Sequence, residues 1–260
     1  MSGNPTMPVP VIPATESANL IEIFSSLQGE GLLVGCRQIF LRLAGCNLDC
    51  AYCDTPFQPS ESCRVETLPG SGTFEEWSNP VGLDLLLPLL ERWRGDFPGA
   101  HHSLSLTGGE PLLQVGVLQQ WAPALKQLFP LFLETNGTLP ESLALVVDEL
   151  SWVSMDIKLA SLTGVPTPWG DHEKFLKLAA RVNCQVKVVV GDATDLHEIE
   201  TVARLLRDVA PAVPLILQPV TLPSATLLNP RRLLELQGCA ARIHPLVRVI
   251  PQTHRFLQLL

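Results

Sequence analysis

The sequence predicts a mixed α/β fold built on a partial parallel β/α barrel of about six strands. Strand-like apolar runs alternate with single helix-like segments, a pattern typical of repeated β–α units. A full eight-unit barrel usually needs about 250 residues once arms and loops are removed, so a 260-residue chain favours an incomplete barrel. The strand-like runs are 38–43, 103–106, 131–134, 152–155, 185–190, 215–217 and 247–250.

The segments between and before these strands complete the predicted organisation. Residues 1–18 carry four prolines and no apolar periodicity, which predicts a flexible arm ahead of a core domain of residues 19–260. Residues 23–31 mix polar residues with two glycines and predict a loop, and residues 56–80 predict a second, long loop. The helix-like segments cover about 82–94, 115–129, 140–150, 172–181, 195–209 and 230–237.

The composition limits the classes of function. Apolar residues make up 46% of the chain and charged residues 17%, which argues against disorder. With 26 acidic and 18 basic residues the formal net charge is −8, so nucleic acids and anionic membranes are poor candidates as partners. The chain has no run of 18 apolar residues and no secretory signal at its start. We therefore expect a cytoplasmic protein that does not span a membrane.

Three of the seven cysteines crowd into one short segment. Cys46, Cys50 and Cys53 follow the spacing C-x3-C-x2-C, and an odd total at irregular spacing argues against a disulfide framework. Three thiolates on one tight loop can ligate three irons of a four-iron cluster, which leaves the fourth iron open to a small molecule. A structural zinc site is the alternative, but Cys36 and Cys63 do not complete a second closely spaced pair.

Polar motifs tend to follow the C-terminal ends of the predicted strands. In a parallel α/β barrel these ends form one face, and that face carries the active site. The pattern therefore predicts that the motifs meet at a single site. They are the cysteine loop, Thr107–Glu110, 135–137, Asp156 with Lys158, and Gln218.

The cysteine motif resembles that of the radical S-adenosylmethionine (SAM) superfamily. The resemblance implies a 4Fe-4S cluster on Cys46, Cys50 and Cys53, with SAM on the open iron and a 5′-deoxyadenosyl radical as its product. Many relatives carry Ser-Pro-Lys where this chain reads Ser-Met-Asp-Ile-Lys from 154 to 158, which leaves the SAM contacts there open. The implied SAM-binding residues are Tyr52, Cys53, Asp54, Gly109, Glu110, Ser154, Lys158 and Gln218.

Further motifs resemble the deazaguanine-forming family of this superfamily over about residues 20–260. The resemblance implies a lyase that contracts 6-carboxy-5,6,7,8-tetrahydropterin to 7-carboxy-7-deazaguanine with loss of ammonia, in queuosine and 7-deazapurine biosynthesis. Hydrogen would be abstracted at C6 and later returned, so that SAM acts catalytically. The motifs are 23–31, 40–48, 53–55, 107–111, 134–138, 187–190, 218–220 and 251–255.

The same resemblance assigns the substrate side of the site. Arg42, in an otherwise apolar strand, would fork onto the substrate carboxylate; a salt bridge with a protein acid is the alternative. Thr55 would bind Mg²⁺. A donor such as flavodoxin or ferredoxin would supply the electron, and a second copy of the chain would complete a homodimer. The implied substrate-binding residues are Leu27, Gln28, Gly29, Glu30, Arg42, Thr107 and His254.

Two other hypotheses remain open at this point. A different small radical SAM enzyme, such as a glycyl-radical activase, would act on a protein partner. A zinc-binding structural protein would have no enzymatic site. The loop 26–31 favours the deazaguanine-forming family. His101 and His102, just before a predicted strand, are expected to face solvent.

Overall fold

The computed structural model describes residues 17–50, 53, 58–221 and 228–259. Within these residues ten strands form a single sheet. The strands are β1 (Leu20–Leu27), β2 (Arg37–Leu43), β3 (Ser62–Glu66), β4 (Phe74–Ser78), β5 (Ser103–Gly108), β6 (Leu131–Thr135), β7 (Trp152–Ile157), β8 (Asn183–Val190), β9 (Leu215–Pro219) and β10 (Val247–Val249).

The strand order confirms the predicted partial parallel barrel. The order is β10-β9-β8-β7-β6-β5-β2-β1-β3-β4, and the stretch from β10 to β2 is parallel throughout. The parallel part therefore has seven strands, one more than the six expected. β8 is buried from Cys184 to Val190, because a central parallel strand is covered on both faces.

Helices connect successive parallel strands. Asp195 begins the sixth helix by accepting a hydrogen bond from the His197 amide, and an apolar face containing Val202 and Leu206 is buried against the sheet. The predicted helix 140–150 is divided, with a 3₁₀ turn at Val147–Glu149. No helix of the described chain has the length and apolar character needed to cross a membrane. The helices are α1 (Leu83–Asp96), α2 (Val115–Leu125), α3 (Pro140–Ala144), α4 (Ala160–Thr163), α5 (Trp169–Ala179), α6 (Leu196–Val209), α7 (Pro230–Ala241) and α8 (Thr253–Leu257).

The predicted long loop 56–80 is wrong for its central part. β3 and β4 form an antiparallel hairpin there, at the edge of the sheet. The Glu66 carboxylate closes the turn by accepting hydrogen bonds from the amides of Gly70 (3.0 Å) and Gly72 (2.8 Å). β4 lies at the sheet edge with no fully buried residue, so its sequence lacks the apolar alternation that marks a strand.

The predicted loop 23–31 is also wrong for most of its length, because β1 extends to Leu27. Ser25 is buried, and its hydroxyl is paired with His101 Nε2 (2.9 Å) and accepts a hydrogen bond from Arg37 Nε (2.9 Å). His101 is therefore buried and does not face solvent as expected, and burial lowers its pKa to about 4. The strand was not predicted because it contains polar side chains that are buried and hydrogen-bonded inside the protein, which interrupts the apolar pattern typical of a buried strand.

The packed part of the chain starts inside the predicted N-terminal arm. Ala18 is fully buried and exchanges backbone hydrogen bonds with Val81 at 2.9 and 2.8 Å. Residues 1–16 lie outside the described residues, so the arm itself stays a prediction.

Candidate active site

A cavity of about 820 Å³ opens at the C-terminal ends of the parallel strands. It brings together the cysteine loop, the residues that follow β1, and polar side chains from five further strand ends, as the positions of the motifs predicted. Its wall includes Glu22, Phe24, Leu27, Gln28, Gly29, Glu30, Phe40, Arg42, Cys46, Leu48, Cys50, Cys53, Thr107, Gly108, Gly109, Glu134, Asn136, Asp156, Lys158, Lys187, Gln218, Gln252 and His254.

The three motif cysteines share this wall. The Cys53 amide donates to the Cys50 carbonyl (2.9 Å), and the Leu48 amide contacts the Cys46 sulfur (3.5 Å). Burial raises the pKa of the Cys46 and Cys50 thiols, so a bound metal is needed to hold them as thiolates at neutral pH.

The donor set fits an iron–sulfur cluster better than a single metal ion. A structural zinc site takes four ligands, usually as two closely spaced pairs, and the cysteine loop supplies three thiols. A four-iron cluster instead takes each thiolate on a different iron, so three cysteines along one wall suit it.

Gly108 and Gly109 allow the loop after β5 to lie directly against the cysteine loop. The Gly109 amide donates to the Leu43 carbonyl (3.3 Å) and the Glu110 amide donates to the Gly45 carbonyl (2.8 Å). A methyl group on Gly109 would lie 2.0 Å from the Gly45 oxygen, which no side chain tolerates. Gly109 is therefore required for close packing against the backbone next to Cys46, whether or not it also contacts a ligand.

Two of the predicted SAM-binding side chains lie behind the wall. The Glu110 carboxylate is fully buried and accepts hydrogen bonds from the Asn136 amide (2.7 Å) and the Thr135 hydroxyl (2.9 Å). Burial raises its pKa to about 7 despite these bonds. The Ser154 hydroxyl accepts from Gln185 Nε2 (2.9 Å). Their contact with SAM stays a prediction, and Tyr52, Asp54 and Thr55 lie outside the described residues.

Glu30 is the centre of a buried polar network. Its carboxylate accepts hydrogen bonds from Gln218 Nε2 (3.0 Å) and Gln252 Nε2 (2.7 Å), and it forms an ion pair with Lys187. Burial opposes the charged form, but the Lys187 ammonium prevails and lowers the pKa of Glu30 to about 2. Glu30, in the loop that follows β1, therefore connects this loop with three other parts of the protein, which are β8, β9 and the C-terminal segment.

Lys187 extends this network toward the cysteines. Its ammonium lies 3.2 Å from an Asp156 oxygen, and the same oxygen is 2.7 Å from Lys158 Nζ. Burial lowers the pKa of Lys187, but Asp156 and Glu30 outweigh burial and raise it above its ordinary value. Four alternating charges thus cross the cavity wall, from Glu30 to Lys158.

Replacing Lys187 with Met is expected to destabilise the protein by about 3 kcal/mol, because two partly buried carboxylates lose their shared cation and only Asp156 keeps another, Lys158. Glu30 has a folded pKa of about 2 against an ordinary 4.5, so its contribution to stability is complete above about pH 5 and is lost as the pH falls toward 2. The variant should lack this part of the acid dependence. Urea unfolding at several pH values measures both effects.

The matched control is Lys177→Met, since Lys177 pairs with Glu173 on the exposed side of α5. An exposed helical pair contributes only about 0.3–0.5 kcal/mol. Equal unfolding free energies for the Lys187 and Lys177 variants would show that the network does not stabilise the fold.

Glu134 lies on the wall between two predicted substrate-binding residues. One carboxylate oxygen accepts from Gln28 Nε2 (2.7 Å) and the other accepts from the Thr107 hydroxyl (3.1 Å). Both of these partners are neutral, and Glu134 is on the cavity wall. The sequence reasoning did not select Glu134 as a site residue, although its place in the motif after β6 was available as a signal.

The C-terminal segment closes one side of the cavity. The Thr253 amide donates to the Gly29 carbonyl (2.8 Å). His254 packs on Gly29 so closely that a methyl group there would lie 2.0 Å from His254 Nδ1. The structure thus places His254 on the wall, as the motif suggested, and adds Gln252, which the sequence reasoning missed.

Arg42 reaches the cavity with a protein acid beside it. Its Nε donates to Glu22 Oε1 (2.9 Å), and its guanidinium carbon lies 5.6 Å from the centre of the Phe24 ring. The salt bridge considered as an alternative is therefore present. Glu22 was not predicted as the partner, because a single acidic residue directly before the predicted loop 23–31 gave no signal of its own. Binding of a substrate carboxylate by Arg42 stays a prediction.

Comparison with known proteins shows the family of this chain. The sequence profile of the radical SAM superfamily matches residues 41–206, and the chain belongs to that superfamily. It is 47% identical over 242 residues to 7-carboxy-7-deazaguanine synthase of Geobacter sulfurreducens, covering 92% of this chain and 97% of the relative. Identity to the enzyme of the same name from Methanothermobacter thermautotrophicus is 36%, covering 93% and 98%. Within the superfamily, the chain belongs to the 7-carboxy-7-deazaguanine synthase family.

Solved structures support the same fold. The crystal structure of QueE from Escherichia coli matches with a TM-score of 0.56 and 26% identity, covering 92% of this chain and 95% of that one. The structure of TYW1 with a lysine–pyruvate adduct matches with a TM-score of 0.52 at 13% identity, covering 80% and 73%, which is a likeness of fold alone.

Proposed function

We infer that this chain converts 6-carboxy-5,6,7,8-tetrahydropterin to 7-carboxy-7-deazaguanine and ammonia. The observation that carries the inference is a single cavity whose wall joins the three-cysteine loop to oppositely charged groups, in a chain 47% identical to a synthase of that name. Membership of the superfamily implies a 4Fe-4S cluster and SAM. When bound, they supply the adenosyl radical that removes the hydrogen atom from C6 of the substrate.

The charges on the wall suit the two ends of this substrate. The pterin carries a carboxylate at C6, which Arg42 would bind through a charge-assisted, forked hydrogen bond. The aminopyrimidine end of the pterin carries N–H groups, and these would donate hydrogen bonds to the Glu134 carboxylate. Because Gln28 and Thr107 hold both Glu134 oxygens, they would orient this carboxylate in addition to touching the pterin.

The remaining substrate contacts come from the segment after β1 and from the C-terminal segment. Leu27, Gly29 and His254 line the cavity beside Gln28 and would enclose the pterin. Glu30 would contribute by holding this segment to Gln252 rather than by accepting a proton, because its pKa of about 2 keeps it ionised.

The SAM side of the site is part of the same proposal. Cys53, Gly109, Lys158 and Gln218 are on the cavity wall and are proposed to contact SAM directly. Glu110 and Ser154, which lie behind the wall, are proposed from the motifs as further SAM contacts. Tyr52 and Asp54 are proposed from the motif alone.

Thr55→Ala is expected to keep iron content and SAM cleavage but to lower turnover and weaken its dependence on Mg²⁺. We propose Thr55 as a magnesium ligand because it directly follows Cys53-Asp54, and a neutral hydroxyl leaves most of the shell of Mg²⁺ to water and substrate. The measurement is turnover against Mg²⁺ concentration after chelation, with Thr73→Ala as the control. Wild-type turnover that is indifferent to Mg²⁺ would contradict the assignment.

The partners complete the proposal and rest on the family resemblance. A one-electron donor such as flavodoxin or ferredoxin would reduce the cluster, two copies of the chain would form a homodimer, and the enzyme would act in the cytoplasm.

Incubation of the anaerobically reconstituted protein with SAM, reductant and the carboxylated tetrahydropterin tests the function. We expect 7-carboxy-7-deazaguanine and ammonia in equal amounts by mass spectrometry and ammonia assay. A protein that contains the cluster and cleaves SAM but forms no deazaguanine would belong with other small radical SAM enzymes, such as the glycyl-radical activases.

A further inference from the structure

Glu22 and Arg42 lie opposite each other on the two strands that line one side of the cavity. In the antiparallel pair β1–β2, Glu22 is the partner of Arg42 and Phe24 is the partner of Phe40. Directly opposed side chains project from the same face of a sheet, and all four are on the cavity wall. The two phenylalanine rings stack with centroids 5.0 Å apart. Arg42 therefore sits above an apolar, aromatic surface.

Glu22 fixes only one edge of the Arg42 guanidinium. The hydrogen bond of 2.9 Å uses Nε, and the ring of Phe24 supports the guanidinium plane. Within the described part of the chain, no acceptor is hydrogen-bonded to Nη1 or Nη2 of Arg42. The fork formed by these two nitrogens is the part of the side chain that matches a carboxylate in geometry.

Together with Arg64, the pair carries one net positive charge. A second guanidinium, that of Arg64, lies 3.7 Å from the other Glu22 oxygen, so one carboxylate faces two cations. The Arg64 side chain is 50% exposed and its charge is screened by solvent, whereas the Arg42 side chain is only 21% exposed. The uncompensated positive charge is thus presented to the cavity at the free end of Arg42.

We propose that Glu22 is a positioning residue that makes the cavity selective for carboxylated ligands. By holding Nε, it directs the Nη1–Nη2 fork of Arg42 at the ligand carboxylate. This inference rests on the proposed function, in which that carboxylate belongs to the pterin. Without the hydrogen bond to Glu22, the Arg42 side chain loses its conformational freedom only when a ligand carboxylate binds. This entropy cost weakens binding of the carboxylated ligand but not of a ligand without the carboxylate.

The test compares two stable aromatic probes, 6-carboxypterin and pterin, by equilibrium dialysis against the reconstituted holoenzyme with SAM. The selectivity is the dissociation constant for pterin divided by the dissociation constant for 6-carboxypterin. Glu22→Ala should reduce this ratio about tenfold and leave pterin binding within about twofold, since only the carboxylate contact loses its orientation. Glu22→Asp, which keeps the charge but is one methylene too short to reach Nε, should also reduce the ratio.

Glu22→Gln is expected to keep most of the selectivity, because its amide oxygen still accepts from Arg42 Nε. The control, Glu76→Ala, removes the same charge from an exposed position on β4 and should not change the ratio. A ratio unchanged in both Glu22→Ala and Glu22→Asp would overturn the proposal. So would an equal loss of affinity for both probes, or a wild-type protein that does not discriminate between them.

Turnover of the carboxylated tetrahydropterin by the same preparations separates this proposal from the proposed function. Unchanged selectivity in the variants together with normal wild-type turnover would refute the role of Glu22 alone. Reduced selectivity in the variants without any wild-type turnover would refute the assigned reaction and retain the role of Glu22.

Discussion

Replacing Cys50 with Ala is expected to abolish the iron–sulfur cluster, reductive SAM cleavage and turnover together. Cys46, Cys50 and Cys53 lie on one cavity wall, and the other four cysteines, which the structure also describes, do not line this cavity. A four-iron cluster that loses one of three protein ligands has two open irons and is not retained. We expect the same result for Cys46→Ala and Cys53→Ala. Iron and sulfide analysis after anaerobic reconstitution, with visible absorption, measures the loss.

The matched control is Cys36→Ala, which changes a half-buried cysteine in the segment before β2. It should keep the full cluster, and the buried residues Cys63, Cys184 and Cys239 are likewise expected to be dispensable for iron binding. A Cys50→Ala protein that keeps its cluster while a Cys184 or Cys239 variant loses it would show that the ligands have been assigned to the wrong cysteines.

Replacing Arg42 with Ala is expected to raise the apparent Michaelis constant for the carboxylated substrate by about one to two orders of magnitude. A charge-assisted hydrogen bond contributes about 1.5–3 kcal/mol, and each 1.4 kcal/mol corresponds to about tenfold. Iron content and SAM binding should change little, since Arg42 is bonded to Glu22 rather than to the cysteine loop. Arg42→Lys should restore binding only in part, because an ammonium cannot form the fork.

Steady-state turnover against substrate concentration, with iron and SAM binding measured on the same preparations, tests this result. Arg207→Ala, an exposed change on α6, is the control. Unchanged substrate kinetics in the Arg42→Ala protein would contradict the role. A protein that instead loses stability or cluster content would show that Arg42 serves mainly as the ion-pair partner of Glu22.

The fold could be predicted where the apolar pattern is strong. Each of the seven strand-like runs overlaps one of the parallel strands β2 and β5–β10, because most of these strands are rich in buried apolar residues. β1 could not be found in the same way. Its Ser25 is buried but polar, and the partner that satisfies it, His101, is 76 positions away along the chain. β3 and β4 were missed because only Cys63, Val65 and Glu66 of the hairpin are buried and β4 lies at the exposed edge of the sheet.

The site could be predicted as a set of motifs but not as a set of contacts. Strand-end positions correctly brought Cys46, Thr107 and Gln218 to one cavity. Their partners were harder to predict. Glu22 becomes the neighbour of Arg42 only through the register of β1 and β2. Glu134 was part of a predicted motif but had no predicted role. The contact of Glu110 with SAM stays a prediction; its carboxylate is hydrogen-bonded to Thr135 and Asn136 at the end of β6.

The most direct test of the account is the amount of product formed for each molecule of SAM consumed. The reconstituted protein is incubated with an excess of carboxylated tetrahydropterin, a limiting amount of SAM, and reductant. If hydrogen is returned after ring contraction, 7-carboxy-7-deazaguanine should accumulate well beyond the SAM supplied, with little 5′-deoxyadenosine. SAM cleaved to 5′-deoxyadenosine while the pterin remains unchanged would contradict the assigned reaction.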